Sequence, residues 1–211
     1  RTLDELNTVL QHIVHQDRIE ALIVTGARNA FVAGADVKEL LEIGEAGDME
    51  SAQTPPNAAH TAFSLLESLD KPVIAAVNGP ALGGGCELAL ACACIVADPQ
   101  AKFGQPEINL NLLPGYGGTQ RLVRRLHERR GDEGLRDALQ LIASGRNIDA
   151  SEARDAGLVN FVVDEPGLSA VEAAMGLLRE HLGGGSALEE PLAHHRQRLA
   201  SRDDALDIGD D

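Results

Sequence analysis

No apolar run in this sequence approaches the roughly 20 residues that span a bilayer. The longest, around Ala89–Ala97, has the length of one buried strand or short helix. The chain opens directly on an amphipathic helical pattern, which predicts neither a membrane span nor a signal peptide. Basic blocks are missing as well. Lys+Arg number 18 against 33 Asp+Glu, a formal net charge of −15, and nucleic-acid binding calls for a basic face. The acidity serves solubility, and a polyanionic ligand would need local Arg or Lys to offset the overall field. Cysteine is scarce. Cys86, Cys92 and Cys94 sit close together in one apolar stretch. That odd count and tight spacing suit buried thiols in a reducing, cytoplasmic setting better than disulfides. A zinc site would be the sharper alternative, but no CxxC or nearby His supports one.

What is present is enough for a core. The 211 residues are 44% hydrophobic, which fits one folded domain rather than a disordered chain. Leu3, Leu6, Val9, Leu10, Ile13 and Val14 recur at helical spacing, and ALIVT (Ala21 to Thr25) reads as a strand buried on both faces. GARNAFVAGAD is a loop with a second short strand, and VKELLEI is helical. Gly44 to Asn57 is polar and rich in Pro and Gly, the composition of a surface loop. A helix over Ala58 to Leu69, the strand PVIAAV, the turn NGPALGGG and a helix from about Gly84 follow, then the strand ACIVAD. FGQPEINLNLLPGYGGTQRL is turn-rich and leads into a helix. Further helices are predicted over Leu135 to Ala143, after Ser151 as N-cap, and over Leu168 to His181, with a last strand over Leu158 to Val163 (LVNFVV). Past Gly183 one weak helical pattern precedes an acidic end. Strands alternating with helices at this rhythm indicate βαβ units and an α/β fold.

Three glycine-bearing turns each precede a helix: Ala33-Gly34-Ala35-Asp36, Gly83-Gly84-Gly85 and Gly115-Tyr116-Gly117-Gly118. Free backbone N–H groups and the helix dipole make such an end attractive to negative charge, and two ends facing one cavity would hold an oxyanion. Singly, each is more simply explained by tight backbone geometry. No GxxxxGK[ST] or strand-linked GxGxxG pattern marks a phosphate loop. Glu87 lies inside an otherwise apolar helix, and Glu107 follows Pro106 in a turn among apolar residues. Each is either a solvated surface group or half of an acid–base pair handling water; pattern alone does not show that they converge. The histidines, including His12, His15, His194 and His195, are scattered and read as surface positions.

AFVAGADVKEL, PVIAAVNGPALGGGCELALAC and FGQPEINLNLLPGYGGTQRL together resemble the crotonase (enoyl-CoA hydratase/isomerase) superfamily. ASGRNIDASEARDAGLVNFVV resembles the segment that follows them there, so the resemblance runs from about Thr2 to Val163. It implies a fold of stacked ββα units, with a core over residues 1–165 and a C-terminal helical segment over 166–211 whose helices trimerise, often into a dimer of trimers. It also implies that the family's two opening strands, with a loop that clamps CoA, precede the helix on which this chain starts. Carried over by residue, the N–H groups of Ala35 and Gly84 would form the oxyanion hole for an acyl-CoA thioester. Glu87 and Glu107 would be the catalytic carboxylates. Glu107 would protonate the α-carbon while its partner activates water, and Gly115 would position that water. Ala33 and Asp36 flank the hole as substrate-binding positions. No cofactor is implied beyond the coenzyme A of the substrate, and no metal.

The expected activity is addition of water across the 2,3 double bond of an enoyl-CoA. HERRGDEG, His127 to Gly134, reads as an insertion. Asn109 and Asn111, just beyond Glu107, would face a substrate carbonyl in a second reading, hydration and ring-opening of a 6-oxocyclohex-1-ene-1-carbonyl-CoA-type substrate in anaerobic aromatic degradation. The plainer explanation is that they cap turns. A third reading, a non-catalytic binding protein on the same fold, is disfavoured for RNA by the acidic balance.

Overall fold

The computed structural model describes residues 2–34 and 49–206; the helix predicted over VKELLEI and the start of the polar stretch lie outside the described residues. In chain order the elements are α1 (Thr2–Val14), β1 (Leu22–Thr25), α2 (Met49–Ser68), β2 (Val73–Val77), β3 (Pro80–Leu82), α3 (Gly84–Ala91), β4 (Cys94–Ala97) and β5 (Lys102–Gly104). A 3-10 turn (Pro106–Leu110) leads to α4 (Gly118–Ser144), β6 (Asn147–Asp149), α5 (Ala150–Asp155), β7 (Phe161–Val162), α6 (Ala170–Leu182) and α7 (Glu189–Leu206).

The strands form two sheets. One is parallel throughout, in the order β1-β2-β4-β7, with Leu22 registered on Val73 and Ile74 on Cys94. The other runs β3-β5-β6, parallel between β3 and β5 and antiparallel between β5 and β6. The continuously apolar β2 and β4 follow from burial on both faces, because successive side chains point to opposite sides of a sheet. Val73, Ala75, Val77, Ile95 and Ala97 enter a core with Leu10, Phe63, Leu66 and Leu122. Ile74, Ala76, Cys94 and Val96 enter a second core with Ala170, Ala174, Leu178, Leu188 and Leu192. Each fully buried Ile or Leu contributes roughly 1.5–3 kcal/mol. No helix among the described residues is long and apolar enough to cross a membrane.

Several sequence expectations are corrected. Met49–Asn57 belongs to α2 rather than to a loop. Pro55 and Pro56 lack the N–H that a helix interior uses, a penalty of about 3 kcal/mol each. Met, Glu, Ala and Gln before them favour the helix, and burial of Ala59, Ala62, Phe63 and Leu66 after them anchors it. The N-cap of α5 is Asp149, whose side chain accepts from Glu152 N at 2.9 Å, not Ser151. Only Phe161–Val162 of LVNFVV pairs as a strand, because the Leu158 and Val159 N–H groups donate to Ala153 O and close α5 instead. HERRGDEG is a helical corner: Gly131 breaks α4 with φ 57° and ψ −136°. A Cβ on Gly134 would lie 2.0 Å from Leu126 O, so glycine lets the two arms touch. His195 is buried, with its Nε2 2.8 Å from the main-chain oxygen of Glu67.

Candidate active site

Three segments of chain meet at Gly83-Gly84. Gly83 joins β3 to α3 with φ 53° and ψ −124°, a conformation that strains any residue with a side chain. A Cβ on Gly85 would stand 1.9 Å from the carbonyl oxygen of Val32, so the start of α3 touches the Val32 segment backbone to backbone. Val32 N donates to Pro80 O at 3.1 Å and Leu82 N to Val32 O at 3.0 Å. These contacts carry the chain through an exposed Ala33 to Gly34, φ 109°, beside Leu82. Ala35 and Asp36 lie outside the described residues. The N–H of Gly84, as the first residue of α3, has no intrahelical partner and sits at the positive end of the helix dipole. A Cβ on Gly84 would meet the Tyr116 ring at 2.9 Å.

Glu87, one turn further into α3, is 1% exposed. Its Oε1 accepts from Tyr116 N at 2.8 Å and from Gly118 N at 2.7 Å. The third glycine turn therefore serves as a cradle for this carboxylate. Gly117 takes φ 99° within it, and a Cβ on Gly118 would crowd Glu87 Oε1 at 2.9 Å. Burial pushes the Glu87 carboxyl up to about 7 and Glu107 adds to the rise; the two N–H groups and Arg121 oppose it.

Glu107 approaches from the opposite side on the half-exposed 3-10 turn. A Cβ on Gly83 would lie 2.7 Å from its Oε1, and one on Gly84 would lie 3.9 Å from Glu87 Oε2. The two carboxylates thus flank a single glycine turn, the convergence that pattern alone left open. Burial raises the Glu107 carboxyl also, against its own backbone N–H. With its amide nitrogen turned toward Glu107, the buried Gln105 donates to both carboxylate oxygens at 3.2 Å.

The remaining candidates are less engaged. Gly115 is exposed and opens on empty space. Asn111 ends the 3-10 turn with left-handed φ 56° and ψ 32°. The Asn109 amide nitrogen would lie 2.9 Å from a Cβ on Gly145. Cys86, Cys92 and Cys94 are buried free thiols pushed up to about 12, first of all by desolvation, which makes them inert. No group of three or more His, Cys, Asp or Glu among the described residues could hold a metal ion. No role was expected of Gln105, Tyr116, Arg121 or Glu67. The first three lie within FGQPEINLNLLPGYGGTQRL, whereas Glu67 lies in the separate helix before Pro72.

The site therefore joins an N–H without an intrahelical partner at a helix start, a buried carboxyl pushed up to about 7 and a second carboxyl of raised affinity for protons. Comparison with known proteins points the same way. A family model described as enoyl-CoA hydratase/isomerase matches residues 1–197. The chain is 44% identical over 164 residues to the short-chain-enoyl-CoA hydratase of Clostridium acetobutylicum, covering 77% of this chain and 59% of that one. It is 41% identical over 165 residues to a probable mitochondrial enoyl-CoA hydratase of Dictyostelium discoideum, covering 76% and 53%. The crystal structure of an enoyl-CoA hydratase from Bacillus anthracis superposes with a TM-score of 0.72 at 36% identity, covering 94% of this chain and 78% of that one. The chain thus spans little more than half the length of the two sequence relatives.

Proposed function

Because this chain belongs to the enoyl-CoA hydratase/isomerase family, we propose that it adds water across the 2,3 double bond of an enoyl-CoA thioester. The observation that carries this reading is the pair of carboxylates, Glu87 and Glu107, on either side of the Gly83-Gly84 turn. The thioester oxygen accepts from Gly84 N–H and, by the family pattern, from Ala35 N–H. One such donor is worth about 3 kcal/mol of barrier in other enzymes. Glu87 Oε1 is taken by two backbone donors, so Oε2 is the atom left to receive a proton from water. The water oxygen bonds to C3, its proton passes to Glu87, and Glu107 delivers its own proton to C2. Exchange with solvent then restores both carboxyl groups.

No cofactor enters beyond the coenzyme A of the substrate. The setting we propose is cytoplasmic, and the assembly a homotrimer or dimer of trimers built on the C-terminal helices; light scattering at the mass of a monomer would overturn the assembly. Ring-opening of a cyclic oxo-enoyl-CoA relied on Asn109 and Asn111 facing a substrate carbonyl. Asn109 packs toward Gly145 and Asn111 closes a turn, so no observation favours that reaction over simple hydration.

The test is hydration of crotonyl-CoA, followed by loss of the enoyl absorbance, in the wild type, Glu87→Gln and Glu107→Gln. Removing a general acid or base typically lowers turnover about 10²–10⁴-fold. Near-wild-type rates in both variants, with the folds intact, would sink the reading.

A further inference from the structure

Behind the turn that cradles Glu87 lies a buried ion pair. Arg121, on the first turn of α4, donates through Nε and Nη2 to the two carboxylate oxygens of Glu67 on α2, at 2.9 and 2.8 Å. Both side chains are nearly enclosed, at 10% and 11% exposure. The third arm of the guanidinium, Nη1, donates to the carbonyl oxygen of Tyr116 at 2.7 Å. The same peptide segment supplies the Tyr116 and Gly118 N–H groups to Glu87 Oε1. The guanidinium also lies over the Phe63 ring, 5.8 Å from its centroid, and Phe63 meets the Tyr116 ring edge-on at 6.2 Å. His195 from α7 contacts the main-chain oxygen of Glu67 at 2.8 Å and fixes the far end of the chain of contacts.

We propose that Arg121, locked in place by Glu67, is a positioning residue that holds the Tyr116–Gly118 turn against Glu87. The inference rests on the reading of Glu87 as a working carboxylate, and it adds a residue pair to that machinery. A guanidinium suits the role because its planar fork engages the carboxylate with two donors and leaves a third for the carbonyl; an ammonium does not reproduce that geometry. Glycines at 117 and 118 make the turn easy to deform, so its shape depends on an external tether. Among the described residues, the charged and titratable groups facing Glu87 include Glu107 from the 3-10 turn, Arg121 from α4 and the Cys86 thiol from α3, with Glu67 beyond Arg121.

Direct titration of Glu87 decides the matter. Full-length protein carrying ¹³C-carboxyl glutamate is titrated by NMR, with the Glu87 resonance assigned by its loss in Glu87→Gln. Glu67→Gln deletes a negative charge, which by Coulomb's law alone lowers the Glu87 midpoint. Loss of the tether withdraws the two N–H donors and raises it. Positioning therefore predicts a rise of about one pH unit in Glu67→Gln, a rise in the charge-conserving Arg121→Lys, and no change in the surface control Glu152→Gln. It also predicts an approximately tenfold fall in kcat on crotonyl-CoA for Arg121→Lys with KM nearly constant, the corresponding cut in turnover from a misplaced base. An unchanged or lowered midpoint in Glu67→Gln, with Arg121→Lys like the wild type, overturns the proposal. A wild type that does not hydrate crotonyl-CoA sinks the hydratase reading alone, since the titration still decides whether the pair positions Glu87.

Discussion

Glu87 and Glu107 stand on either side of one glycine turn, yet their supports differ in kind. Glu87 sits on a helix walled by the apolar core, 1% exposed, with one oxygen committed to two backbone N–H groups. Glu107 sits on a short 3-10 turn between exposed apolar residues, Ile108 at 39% and Leu110 at 47%, and its support is the Gln105 amide. The first carboxylate belongs to the rigid body of the fold. The second belongs to a half-exposed surface turn. Under the proposed hydration, the buried member would hold water and the half-exposed member would exchange its proton with solvent between turnovers.

The contrast is most severely tested at its hinge. Gly85→Ala forces a Cβ against the Val32 carbonyl, 1.9 Å away, so backbone must shift to admit it. Inserting a methyl into a packed site typically costs about 1–3 kcal/mol, and more where backbone must move. Urea unfolding is expected to show at least that loss, together with loss of hydration activity; unchanged stability would mean that the two segments are not in contact.

Next comes pH. Burial holds the folded-state pKa of Glu87 at about 7, above the ordinary carboxylate value of 4.5. The native state therefore binds more protons than the unfolded chain between these values, and stability from this group falls as pH rises through that window. Glu87→Gln is expected to be inactive but, above pH 7, more stable than the wild type by roughly 1–3 kcal/mol, a difference that vanishes below pH 4.5. Paired thermal melts at pH 4 and pH 8 check it. Glu107→Gln, on its half-exposed turn, is expected to show the same sign with a smaller gain. Equal gains in the two variants would erase the distinction between them.

The cores supply a third test. Phe63→Leu shrinks the ring beneath Arg121 and the partner of Tyr116, which is expected to remove about 1 kcal/mol and to lower kcat more than it raises KM. The smallest effect concerns the thiols. Cys86, Cys92 and Cys94 are buried with pKa values near 12. A thiol reagent at pH 8 is expected to leave all three unmodified in the native protein and to label all three in guanidinium; rapid labelling of the folded chain would show that the Glu87 side of the molecule opens.

Much of the framework was legible before any coordinates. Continuous apolar runs such as Val73–Val77 and Cys94–Ala97 do become doubly buried strands, and the periodic opening segment does become α1. Where reading by pattern failed, a longer-range interaction had outweighed a local signal. Two prolines marked a loop, but the helix through them is anchored by the core contacts of Ala59, Phe63 and Leu66. LVNFVV looked like a strand, but the end of α5 took two of its amides. His195 looked exposed in a polar tail, and a main-chain carbonyl on a distant helix buries it.

By itself, the sequence determined the α/β class, the glycine turns, the two candidate glutamates and the family to which they belong, because each is written in residue type and local spacing. The tertiary structure decided which groups meet. Tyr116 and Gly118 are 29 and 31 residues from Glu87, and Glu67 is 54 from Arg121. No periodicity joins positions so far apart, and a carboxyl acquires its neighbours, and hence its affinity for a proton, only when the chain folds around it.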